Sequence, residues 1–192
     1  MTRTKIFALF VAVAGSLLYL YNVVSPPETW ESNNKKGVSS FNESYYIEAE
    51  KYFAQALEQA ENFPSNDSRL YFSLSQLAEI YKVQSKFSEA EKMLKRIVKI
   101  DEKNFGPGHP NVALALNNLA ANYRECGKFE EAETVLKRAL NVLKEALGPE
   151  HPLIANLLEH YAHLLHQMNR PAEAQKLEKR YQAIYSRLSM EN

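Results

Sequence analysis

One 42-residue stretch that restarts at its own end constrains this chain more than any other feature. Residues 109–150 read HPNVALALNNLAANYRECGKFEEAETVLKRALNVLKEALGPE, and His151-Pro152 follows 42 positions after His109-Pro110. The same step relates Ala78, Ala120 and Ala162, relates Ala90, Ala132 and Ala174, and relates Phe63, Phe105 and Leu147. A unit recurring at a fixed period of this size cannot bury its apolar face alone, so copies must stack into an array.

Within the unit the apolar period is helical. Leu116, Leu119, Ala120 and Tyr123 fall on one face of a first helix, and Ala132, Leu136, Ala139, Leu140 and Leu143 on one face of a second at 131–146. Cys126-Gly127-Lys128 is the turn between them, with Gly127 free to take the left-handed conformation that closes a helix. Ser85 and Asn169 stand at the equivalent turns. Gly148-Pro149 ends the second helix, and Pro110 and Pro152 suit the first turn of the helices they open. Ala120 and Ala132 mark where two helices press closest, a place where a bulky side chain would overpack. Helix pairs are predicted at about 67–106, 109–148 and 151–188. A lone helix at 44–62 aligns with the second half of a unit and is predicted to cap the N-terminal end. In the last helix, Leu177, Tyr181, Ile184, Tyr185 and Leu188 form a single stripe among charged residues, as suits a C-terminal cap.

Residues 6–24 are an uncharged run of 19 residues after Arg3 and Lys5. At about 1.5 Å per residue such a helix spans a hydrocarbon core of roughly 30 Å. Residues 1–24 are therefore expected to be a membrane anchor, with a cleaved signal sequence at Ala12-Val13-Ala14 as the rival. The basic residues before the run place the N-terminus in the cytoplasm and the array outside, periplasmic in a bacterium. Residues 25–43, with Pro26-Pro27, Asn33-Asn34 and Gly37, read as a flexible linker. Trp30 stands apart there, either as an interfacial aromatic or as an anchor docked on the array.

The repeat HPNVALALNNLAANYRECGKFEEAETVLKRALNVLKEALGPEHP resembles the tetratricopeptide repeat (TPR) family, specifically the 42-residue subtype of kinesin light chains. The likeness covers residues 44–188, close in the second copy and looser in the third. It implies an all-α fold, an α-α superhelix of three helix pairs plus the capping helix, here preceded by a single transmembrane helix. It also implies a concave groove lined by the first helix of each pair.

The groove positions follow from the helical period as well. Relative to Leu116, Ala120 and Tyr123, the flank of the central first helix carries Leu114, Asn117, Ala121 and Arg124. The equivalents are Phe72, Ser75, Glu79 and Lys82 before it, and Asn156, Glu159, His163 and His166 after it. The resemblance implies that Asn117 bonds a peptide backbone, for which an amide has both donor and acceptor. Arg124 suits an acidic or C-terminal carboxylate group.

Other chemistry is sparse. Glu159, His160, His163 and His166 are close enough on one helix to share a metal, but polar groove lining explains them without one, and no metal or other cofactor is expected. Cys126 reads as an inert turn residue. There is no phosphate-cradling glycine loop or nucleophile elbow, so no enzyme is expected. Lys plus Arg and Asp plus Glu number 23 each, which argues against nucleic acid, since that partner selects a concentrated positive field. The expected function is a membrane-anchored adaptor holding a peptide or protein in its groove. The alternative is a structural subunit of a larger membrane complex that uses its convex or terminal surfaces.

Overall fold

The computed structural model describes residues 28–190. Eight α-helices follow one another in antiparallel pairs: α1 (Trp30–Asn42) with α2 (Tyr46–Ala60), α3 (Ser68–Val83) with α4 (Phe87–Phe105), α5 (Pro110–Glu125) with α6 (Phe129–Leu147), and α7 (Pro152–Gln167) with α8 (Pro171–Met190). Each helix packs on the next one in sequence, which makes the array quasi-one-dimensional.

Helix starts repeat as regularly as the cores. His109 and His151 are N-caps, with Nδ1 accepting from Asn111 N and Leu153 N at 3.2 Å each, and Asp67 plays the part for α3. Pro110 and Pro152 stand inside the first turn. The turn within each pair closes on a residue with positive φ: Ser44 at 64°, Ser85 at 58°, Gly127 at 78° and Asn169 at 56°. A short polar side chain or none is what the left-handed region accepts.

Two expectations need correction. The linker reading of 25–43 is wrong for α1, which begins at the Thr29 N-cap and packs along α2. The predicted lone cap is thus the second helix of a complete fourth pair. Trp30 belongs to the array: its Nε1 donates to Ser73 Oγ at 2.8 Å, and its ring meets Phe72 edge-on at 6.1 Å. Helix α1 escaped notice because Asn33 fills the place held by Leu74, Leu116 and Leu158 in later units, and Gly37 the place of Ala78, Ala120 and Ala162.

The second correction concerns the transmembrane helix. No helix among the described residues is long and apolar enough to cross a membrane. Even α8, with 20 residues, carries Glu173, Lys176, Glu178, Lys179, Arg180 and Arg187. The predicted span at 6–24 lies outside the described residues, so the fold is corrected to the helical array. The single-pass localisation, with its cytoplasmic N-terminus and outside domain, has no structural support.

Inside each pair small residues take buried positions on both helices. Ala78 with Ala90, Ala120 with Ala132 and Ala162 with Ala174 are all buried. Ala78 and Ala120 are each accompanied 16 residues on by a buried leucine, Leu94 or Leu136. The first pair solves the same problem with different parts: Gly37 faces Phe53, and a Cβ on Gly37 would lie 2.6 Å from the Phe53 ring. The two solutions hold nearly the same combined volume.

Between pairs, ion pairs recur on the repeat period. Glu50 meets Lys86 at 2.7 Å, Glu91 meets Lys128 at 2.9 Å, and Glu133 meets Arg170 at 2.7 Å. At Glu91 burial pushes the carboxyl up, but hydrogen bonds from Lys95, Lys128 and Tyr123 outweigh it and hold the pKa at about 2. At Glu133 the Arg170 guanidinium is the chief cause of a pKa of about 2, assisted by Lys137 and Tyr161.

Two predictions follow from this packing. Gly37→Ala should cost about 1–3 kcal/mol of stability, and adding Phe53→Leu should recover most of it, measured by urea unfolding of the three variants. Because both carboxylates are depressed in the folded chain, their stabilisation is present above the ordinary carboxylate value near 4.5 and is lost as pH falls toward 2. The melting temperature should drop across that window, and Glu133→Gln should flatten the drop while costing about 1–3 kcal/mol at neutral pH.

Candidate functional site

The first helices of successive pairs touch through polar side chains. Trp30 on α1 reaches Ser73 on α3, Lys82 on α3 lies 3.8 Å from Glu125 on α5, and His160 on α7 donates from Nδ1 to Asn117 Oδ1 on α5 at 2.8 Å. These bridges fix the spacing of the flank on which the predicted stripe lies.

The stripe is not uniform. Phe72 is partly covered by Trp30, and Ser75 spends its hydroxyl on Tyr71 O of its own helix at 2.9 Å. Glu79 and Lys82 pair at 3.2 Å, and Glu125 adds a second carboxylate, so the Lys82 charge is neutralised locally. Leu114 turns away to a different cavity, described below. Asn156 is exposed and Glu159 half-buried, neither lining the pockets at the centre.

Five predicted residues do come together. Asn117, Ala121 and Arg124 line a small cavity of about 40 Å³ with Ala120, Ala132, Leu136, His160 and Leu164. Arg124 also borders a wide cleft of about 570 Å³ with Glu125, His163, His166, Gln167 and Glu178. The Arg124 guanidinium makes no hydrogen bond or ion pair among the described residues, and the residue is half-buried, so it presents a positive charge to both spaces. His166 Nε2 is held by Glu178 at 2.7 Å.

His160 and Glu178 are members of this site that the stripe did not include. Glu178 had a readable signal, since it takes the place of Leu94 and Leu136 in the preceding units. His160 sits one position beside Glu159 and was visible only as part of the histidine cluster. Burial lowers the His160 pKa below the ordinary imidazole value, and the Arg124 and His163 charges push the same way against Glu159. Neutral His160 donates to Asn117 Oδ1 and leaves the Asn117 Nδ2 hydrogens for a ligand. Among the described residues no three His, Cys, Asp or Glu side chains are placed to hold a metal ion. Cys126 caps α5, with Sγ 3.4 Å from Tyr123 O.

The tetratricopeptide repeat pattern matches residues 69–145 and, in overlapping register, 111–187. The chain belongs to the tetratricopeptide repeat family. Solved structures similar to this chain include kinesin light chain repeats. The nearly identical TPR-like repeats of a kinesin light chain from Podosopora anserina superpose with a TM-score of 0.76 at 21% identity, covering 93% of this chain and 86% of that one. BtubC (BKLC) from P. vanneervenii gives 0.68 at 21% identity, over 97% and 75%. The apo form of RapI gives 0.69 at 12% identity, over 94% and 65%. These likenesses establish the fold. A search among curated proteins finds no match.

The electrostatics of the site can be read directly by NMR. The His160 imidazole should titrate below the ordinary histidine range, and Arg124→Gln should move it upward by removing one of the charges that oppose protonation. An unmoved titration in that variant would show that Arg124 does not reach the ring.

Proposed function

We propose that this TPR array is a non-enzymatic adaptor that holds an extended peptide or a protein segment along the first-helix flank, centred on α5. The observation that carries this reading is the convergence of Asn117 and Arg124 at the middle of the array. There an amide with free donors stands beside a guanidinium that has no partner among the described residues. An unpaired half-buried guanidinium favours a carboxylate, to which it can bond in bidentate fashion. Lys82 cannot substitute, because Glu79 and Glu125 already claim it. The segment held is therefore one with an acidic side chain or a C-terminal carboxylate set near Arg124, its backbone bonded to Asn117. His163 and His166 form the far wall of the cleft and contribute polar surface rather than chemistry.

Affinity co-purification from native cells tests this, comparing the natural chain with the double variant Asn117→Ala, Arg124→Ala and with Glu131→Ala, an exposed change on α6 away from the flank. Partners that depend on the flank should be lost from the double variant and kept by Glu131→Ala. For a captured segment made as a peptide, the double variant should bind about tenfold to a hundredfold more weakly, as expected for losing a charge-assisted bond of about 1.5–3 kcal/mol. Retention of every partner by the double variant would remove the flank from the interaction.

A further inference from the structure

A second cavity lies at the N-terminal ends of the first helices α3 and α5, at the corner where residues 65–68 and the C-terminal end of α4 meet the start of α5. Its volume is about 350 Å³, within the range of pockets that hold a ligand group. At its wall is Asp101, only 3% exposed, and Asp101 Oδ2 has no hydrogen-bond partner among the described residues. The repeat does not call for a carboxylate there. The equivalent positions are Ala60 and Leu143, both in the apolar core. An unpaired carboxylate is costly to bury, and a position that breaks the repeat at such a cost points to a role outside packing. Burial pushes the Asp101 carboxyl pKa up, and nearby His109 only partly offsets it.

The remaining walls describe the missing partner. No lysine or arginine lines the cavity. Tyr71, Phe105 and Leu114 are large side chains left 38%, 52% and 42% exposed, and Asn111 adds an amide at the rim. A cation with a flat face and an apolar stem matches this set: the charge satisfies Asp101, the flat face lies on an aromatic ring, and the stem covers the leucine. We propose that this corner cavity receives an arginine side chain of a partner polypeptide, its guanidinium bonded to Asp101 and its stem lying against Tyr71, Phe105 and Leu114. The site is separate from Asn117 and Arg124 and stands whether or not the flank binds a peptide.

Titration of the full chain with N-acetyl-arginine amide, followed by amide NMR shifts, tests the assignment. Saturable shifts are expected at Tyr71, Asp101, Phe105 and Asn111, and they should be absent with N-acetyl-norleucine amide, which has an apolar stem and no charge. Asp101→Asn should weaken the arginine probe at least tenfold with the rest of the spectrum unchanged. Asp101→Leu, which installs the residue of the next unit, should do the same by an independent route. The inference is overturned if the natural chain shows no localised shifts, if the norleucine probe gives the same shifts, or if Asp101→Asn binds like the natural chain. Shifts confined to Asn117 and Glu159 would also overturn it, while leaving the flank reading intact.

Discussion

Close approach of the two helices in each pair is the constraint on which the rest of the structure depends. Where α5 crosses α6, Ala120 and Ala132 are almost fully buried, and the same holds for the alanines of the neighbouring pairs. Small residues there let the backbones come close enough for the larger side chains beside them to interdigitate at interior density. The first pair shows that the constraint falls on combined volume rather than on residue identity. It removes a methyl at Gly37 and adds bulk at Phe53, and the pair still closes. Once each pair has a fixed crossing, stacking repeats the same step, and the flanks of the first helices fall into line.

The stack is then held from two sides by different chemistry. Glu50–Lys86, Glu91–Lys128 and Glu133–Arg170 join each unit to the next through their second helices. Exposed pairs of this kind contribute little singly, but Glu91 and Glu133 are drawn into clusters with a second cation and a tyrosine hydroxyl. The first helices are joined by a more mixed set: Trp30 to Ser73, Lys82 to Glu125, and His160 to Asn117.

Most of this was legible from the period alone. Helices α3 to α8 and the left-handed turns at Ser85, Gly127 and Asn169 follow from residues that recur in register, whereas the capping role of His109 and His151 emerges only in the structure. Helix α1 was not legible by hydrophobic pattern, because WESNNKKGVSSFN buries an asparagine and a glycine where the other units bury leucine and alanine. It was legible by register: Gly37 stands 41 residues before Ala78, and Ser44 the same distance before Ser85. The stripe along the first helices could be drawn in advance, but not which members converge. That depended on cross-pair partners, with Lys82 taken by two carboxylates, Leu114 turned to the corner cavity, and His160 bonded to Asn117.

The array also shows where charge is left over. A repeat scaffold tends to neutralise itself, because each substitution that stabilises one unit boundary can be copied to the next. The Glu–Lys and Glu–Arg pairs on the second helices are such copies. Asp101 is not a copy, and Arg124 repeats the charge of Lys82 without its carboxylates. Arg124 corresponds to Lys82 and His166, each of which has a carboxylate in contact, whereas Arg124 has none among the described residues. Asp101 corresponds to Ala60 and Leu143, which need none. Both exceptions fall next to cavities, and both leave a charged group without the partner that desolvation demands. In a structure otherwise built by repetition, a charge left without the partner that its counterparts have, or placed where its counterparts are apolar, is the internal sign on which a search for an outside partner rests.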